Sequence, residues 1–212
     1  MSDEPTQTAV TVIEPGISAI SVRQLTDQVR LIQDVMRAVM RNGEHYGVIP
    51  GTGSKPTLLK PGAEKLCLTF RFAPEYEPTP HTALREDFIL WDIRCKLTHI
   101  PSGQLVGTGM GSCSSREEKY GWRNAGRVCP SCGKEAIIKG KAEYGGGWIC
   151  FDKKGGCKTK FKDGDVSIED QVVGKIPNPN IWDLNNTIEK MACKRALVAA
   201  VLNATAASDI FT

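Results

Sequence analysis

Four cysteines have the type and spacing for metal chemistry. Cys129-Pro130-Ser131-Cys132 is followed by seventeen residues, then Cys150, six further residues and Cys157. Zinc bound by four thiolates needs two short ligand turns whose sulfurs converge tetrahedrally at about 2.3 Å, and the first pair has the two-residue knuckle spacing. The second pair is looser, with Gly155-Gly156 supplying the bend. The expected site is a structural zinc ribbon, Zn2+ held by Cys129, Cys132, Cys150 and Cys157; four unrelated thiols, or a redox pair at Cys129 and Cys132, are the alternatives. No His nearby offers a fifth ligand. A closed site of this kind stabilises a segment too small for its own core and hydrolyses nothing.

Other chemistry-bearing patterns fail on context. Gly51-Thr52-Gly53-Ser54-Lys55 suggests a phosphate loop, but Ser54 separates Gly53 from Lys55, Pro56 follows, and a helix precedes it where a strand is required. Gly107, Gly109 and Gly111 lie two apart inside an expected strand, which is no dinucleotide fingerprint; such a row lets a helix or another backbone approach closely. His45, His81 and His99 stand apart, each without a nucleophile or carboxylate pair beside it. With no triad, no paired acidic motif and no cofactor fingerprint, the sequence points away from an enzyme.

The elements that must position these residues follow from periodicity. Residues 21–42 repeat apolar side chains at three and four (Val22, Leu25, Val29, Ile32, Met36, Val39), with a capping box at Ser21 and Gln24 and a stop at Gly43, and so read as an amphipathic helix. A short helix begins at Pro61, with Ala63, Leu66, Cys67 and Phe70 on one face. Ile89, Trp91, Ile93, Cys95 and Leu97 then alternate with Leu90, Asp92, Arg94, Lys96 and Thr98, a strand with one apolar and one largely polar, basic face. Turn residues 100–104 return it as a hairpin through 105–113, and 71–79, broken by Pro74 and Pro78, suits a sheet edge. One more strand is expected within 165–175 and a helix from Asn178-Pro179-Asn180 to about 204. On that helix Leu184, Ile188, Met191, Val198 and Leu202 form a stripe with Arg195 in its middle and Lys190 and Lys194 alongside. Arg195 is then either a snorkelling side chain or the cationic floor of a nucleic-acid groove.

The expected fold class is α+β: an antiparallel three-strand meander packed on helices, with an inserted four-cysteine zinc ribbon. Residues 1–18 read as a flexible leader, 19–126 and 163–212 as the main domain, and 127–162 as the ribbon. This order of elements, with Gly107-Thr108-Gly109-Met110-Gly111-Ser112 closing the meander and Lys194-Arg195-Ala196-Leu197 on the later helix, resembles the annealing domain of the eukaryotic recombination mediator and its phage-encoded relatives, the single-strand annealing proteins. The resemblance covers roughly 57–116 and 183–204. It implies a protomer of an oligomeric ring or filament with single-stranded DNA in a basic groove, the lysine-arginine pair of the helix falling on Lys194 and Arg195 and the basic hairpin residues on Arg94 and Lys96. The ribbon departs from the family pattern, in which the third strand runs almost directly into the helix.

Composition sets the boundaries. The chain has 212 residues, 41% hydrophobic, enough for one core and a small insert. No apolar run approaches a membrane span, the start carries no cationic, greasy signal, and the cysteines are too sparse for a disulfide scaffold. A reduced cytoplasm, of a bacterium or a phage-infected host cell, is the expected compartment. Between residues 127 and 162 nine bases face three acids, although the whole chain is only +3. Four thiolates on one zinc would remove two of those six surplus charges, leaving a segment suited to a phosphate-bearing partner. The expectation is an ATP-independent protein of a phage or mobile element that binds single-stranded DNA and anneals strands in recombination, capturing the backbone with Arg94, Lys96, Lys190, Lys194 and Arg195. The alternative is a zinc-ribbon interaction module docking on a replication or transcription protein; a metal-dependent nuclease is the least favoured.

Overall fold

A computed structural model describes residues 20–50 and 53–211; the expected leader, Gly51, Thr52 and Thr212 lie outside the described residues. Helix α1 (Val22–Val39) opens on the capping box, with the Ser21 side chain accepting from the Gln24 amide. Its apolar face is largely open: Ile32 is buried, while Val22, Leu25 and Val39 are exposed. Two short strands, β1 (Tyr46–Gly47) and β2 (Thr57–Leu58), pair antiparallel and lead to α2 (Lys60–Thr69), which carries Pro61 in its first turn and buries Ala63, Leu66 and Cys67.

The main sheet is antiparallel and centred on one long strand. Strand β3 (Phe72–Pro78), the short β4 (Ala83–Arg85), β5 (Phe88–His99) and β6 (Leu105–Ser114) share it, with Leu90 of β5 opposite Ala83 on one edge and Ser114 on the other. So β3 and β4 follow one another along one edge of β5, and β6 occupies the second. Pro74 and Pro78 lie in that edge strand, where a missing N–H costs no ladder bond on the outer side.

The chain then leaves the sheet through α3 (Glu118–Gly121) and β7 (Trp122–Ala125). It forms a three-stranded antiparallel sheet from β8 (Ile137–Lys139), β9 (Trp148–Cys150) and β10 (Lys160–Phe161), and returns by α4 (Val166–Glu169) and β11 (Gly174–Pro177). Strands β7 and β11 pair from Trp122–Pro177 to Ala125–Gly174 and make a two-stranded stem for the excursion. Two expectations shift here. Asp165 caps α4 instead of opening a strand, which begins only at Gly174. Ile168 is fully buried in the ribbon's small core with Cys129, Ala136, Ile137 and Cys150, so that core reaches beyond residue 162.

Helix α5 (Asn185–Thr205) follows one turn of 3-10 helix and crosses the main sheet. The expected stripe packs only in part: Ile188 is fully buried and Leu184, Met191, Val198 and Leu202 are partly covered, while Ala192, Ala196, Leu197, Ala200 and Val201 make up the rest of the buried face. The reason is the glycine row on β6. A Cβ placed on Gly109 would lie 2.6 Å from the Ala196 carbonyl oxygen, and one on Gly107 would lie 2.8 Å from the Ala204 Cβ. The helix backbone rests directly on the strand, and only alanines fit between them. Gly109→Ala should therefore cost about 3 kcal/mol through overpacking, against less than ~1 kcal/mol for Thr108→Ala on the opposite face. Urea unfolding of the two variants checks this, and equal losses would show that the contact tolerates a methyl group.

Candidate functional site

The four ribbon cysteines converge. Their sulfurs all lie within 4.8 Å of one another, with Cys129 to Cys157 at 3.7 Å and Cys132 to Cys150 at 3.6 Å. A tetrahedron with metal–sulfur bonds of about 2.3 Å has edges of about 3.8 Å, so the set fits one ion. Local backbone builds it: Cys129 and Cys132 bracket a tight turn in which the Gly133 amide donates to the Cys129 carbonyl at 2.8 Å. Across the site the Cys157 amide donates to the Cys150 sulfur at 3.2 Å. Gly156 leaves room for that sulfur, since a Cβ there would sit 2.6 Å from it. Hydrogen bonds from the Thr159 hydroxyl and backbone bring the Cys157 thiol down to about 6, so it is ready to act as a thiolate ligand. Cys67, Cys95 and Cys113 are buried elsewhere, and burial pushes each up to about 11.

The basic residues expected to form one groove divide between two faces of the sheet. Ile93, Cys95 and Leu97 pair with Gly111, Gly109 and Gly107 and point at α5, so Arg94 and Lys96 point away from it. Lys96 is occupied by Glu77 at 2.6 Å, whereas Arg94 is exposed and unpaired among the described residues. Lys190, Lys194 and Arg195 lie on the helix side, where two adjoining clefts run along the outward face of α5. One, of about 590 Å³, is lined by Lys60, Tyr76, Lys190, Met191 and Lys194. The other, of about 570 Å³, is lined by Leu58, Lys119, Met191, Lys194, Arg195, Val198 and Leu202. Met191 and Lys194 belong to both, and among the described residues no carboxylate lines either cleft.

Arg195 is paired, with its side chain still 42% exposed. Its guanidinium makes a two-point pair with Glu117 at 2.6 and 3.0 Å and donates to the Ser112 carbonyl, tying α5 to the end of β6. The Arg195 hydrogen bond brings Glu117 from 4.5 down to about 2. Lys119 stands 3.7 Å from the same carboxylate and Lys60 pairs with Glu64. Lys190 and Lys194 have no ion pair among the described residues.

Sequence reasoning missed Lys60, Tyr76 and Lys119, because they reach the clefts from three separate elements. Tyr76 alone carried a signal, opposite Cys95 on the helix-facing side of the edge strand. Two of the three histidines serve local structure through their rings: His45 Nδ1 accepts the Arg41 amide at 3.1 Å, and His99 Nδ1 faces the Ser102 hydroxyl at 2.8 Å. Lys55 of the glycine-rich loop donates to the Ser208 carbonyl at 2.7 Å. No described helix is long and apolar enough to cross a membrane. No protein-family model, curated protein or solved structure matches the chain.

The Glu117 carboxylate fixes a pH dependence. Its folded value lies below its ordinary value, so the pair's stabilisation is complete above about 4.5 and is lost as pH falls from there toward about 2. In urea unfolding the stability difference between the parent and Glu117→Gln should shrink across that window. A difference that does not change with pH would show that the pair adds no stability.

Proposed function

We propose that this chain binds single-stranded DNA along the outward face of α5 and anneals complementary strands without nucleotide hydrolysis, as a protein of a phage or mobile element acting in recombination. The observation that carries the reading is the pair of adjoining clefts that share Met191 and Lys194, lined by bases and apolar side chains and by no carboxylate. Such a trough combines what a single strand requires: cations for the phosphates and apolar or aromatic surface for unpaired bases, here Tyr76 and Met191. Lys190 and Lys194 are the principal phosphate ligands, because no carboxylate competes for them. Arg195 and Lys119 contribute field while paired to Glu117. Arg94, on the opposite face of the sheet, is then a separate contact to the strand's exit path or to a neighbouring protomer.

The protein works as a homo-oligomer, ring or filament, in this reading. Support comes from α1, whose Val22, Leu25 and Val39 are apolar and exposed, without cover among the described residues. The four thiolates hold one structural zinc, which supplies the cross-link that the ribbon's small core lacks. The second reading, an interaction module docking on a replication or transcription protein, draws on the ribbon's separation from the main core by the β7–β11 stem.

Two experiments test these assignments. Elemental analysis of protein purified without chelator should give one zinc per chain, and Cys132→Ser should lose the metal and the ribbon's order while the main domain stays folded. Less than half an equivalent removes zinc from the account. Fluorescence anisotropy with an oligothymidylate should show binding that falls steeply with salt, and strand-exchange assays should show annealing faster than buffer without ATP. Lys190→Ala with Lys194→Ala should weaken binding on the order of tenfold and lower the salt slope by about 1.4, at unchanged melting temperature. No single-strand binding at low salt, or no faster annealing, leaves the interaction module in front.

A further inference from the structure

The ribbon sheet has an apolar face that its core does not use. Pairing sets Ile137 opposite Cys150 and Lys139 opposite Trp148, while Ile138 stands opposite Ile149 and Ile149 opposite Lys160. Ile137 and Cys150 turn inward to join Cys129 and Ile168. By strand alternation Ile138 and Ile149 turn outward, and Phe151 continues their side beyond the end of β9. All three are half-buried, yet none belongs to the ribbon's core. Together with Lys139, Lys141, Lys160 and an edge of Trp148 they line a concavity of about 500 Å³; Trp148 itself packs on the ribbon's core and donates its Nε1 hydrogen to Glu169 at 2.9 Å, which leaves Phe151 as the aromatic ring of the outer side.

Charge narrows the occupant. Lys141 and Lys160 have no ion pair among the described residues; Lys139 is held by Asp163 at 2.8 Å. Among the described residues no carboxylate lines the concavity, and the segment around it carries nine bases against three acids. Apolar residues and an aromatic ring on a sheet face, rimmed by unpaired lysines, form a stacking platform with phosphate ligands beside it. We infer that the outer face of the β8–β9–β10 sheet is a second single-stranded nucleic-acid site, with Phe151 stacking a base and Lys141 and Lys160 taking the flanking phosphates. This rests on the reading of the chain as a single-strand binder and extends it: the strand would be held at two places, the α5 trough and the ribbon. Two anchor points raise the avidity of each wherever one strand spans both.

The test uses the full-length, zinc-loaded chain and an oligothymidylate bearing 5-iodouracil, irradiated and mapped by mass spectrometry. Two cross-linked peptides are expected, one containing Phe151 and one containing Tyr76. Phe151→Leu keeps apolar volume without the ring and should lower the ribbon cross-link at least tenfold. Lys141→Ala with Lys160→Ala should lower the salt slope of binding by about 1.4, since each phosphate contact to a single strand contributes about 0.7. Zinc content measured on both variants reports folding, and the lysine pair, being exposed, gives the decisive result if Phe151→Leu loses metal. Lys190→Ala with Lys194→Ala should leave the ribbon cross-link in place. A Tyr76 cross-link without a Phe151 one overturns the ribbon site, assigns that face to a protein partner and leaves the α5 reading standing. An unchanged salt slope in the lysine pair also overturns it. Cross-linking at Phe151 with none at Tyr76, and no effect of the α5 variants, upholds the ribbon site and removes the α5 trough. Cross-linking at neither place ends both.

Discussion

The seating of α5 on β6 decides almost everything else about the main domain. Gly107, Gly109 and Gly111 clear one face of the strand, and the helix lies down on them through Ala192, Ala196 and Ala200. At 100° per residue, pinning Ala196 inward turns Met191, Lys194 and Val198 to the far side of the helix. The same contact thus buries the alanines and presents the bases. A larger residue anywhere in the glycine row would lift the helix, and both clefts take their walls from its position. Arg195 reinforces the seating from the flank, since its pair with Glu117 and its bond to the Ser112 carbonyl fasten the helix to the strand's end.

The ribbon is built on the opposite principle. Its buried cluster holds five residues, two of them ligand cysteines, so burial alone contributes little to its stability. Convergence of four sulfurs replaces a core, and the β7–β11 ladder fixes where the unit leaves and rejoins the sheet domain. This independence leaves its sequence free to be basic. Lysines that would repel one another in a packed domain are tolerable on a small sheet whose fold a metal held by these sulfurs would cross-link.

What was legible in the sequence depended on how local the signal was. The capping box at Ser21, Pro61 in the first turn of α2, the alternation along β5 and the close approach at the glycine row all rest on short-range chemistry, and each is found in the structure. The cysteine spacing belongs with them, because a two-residue knuckle fixes its own geometry. The buried face of α5 was legible only in part, because hydrophobic periodicity weights large side chains. Of these, Ile188 is buried, but Met191, Val198 and Leu202 line a cleft, and the contact with the strand is made by alanines. A periodicity that had matched the alanines at intervals of four to the glycines at intervals of two would have found the contact. The division of Arg94 and Lys96 from Lys190 and Lys194 needed the strand register, which no local pattern carries.

Ion pairing then ranks the cations that remain. An anion approaching Arg195 would have to compete with a carboxylate that already satisfies two of its donors and is held strongly ionised. Lys96 is occupied in the same manner by Glu77. Among the described residues Lys190 and Lys194 face no such rival, so an anion meeting them would displace only counterions. Arg195 is therefore the least available of these cations, and its place in the apolar stripe marks structural work: it fastens the helix that presents Lys190 and Lys194.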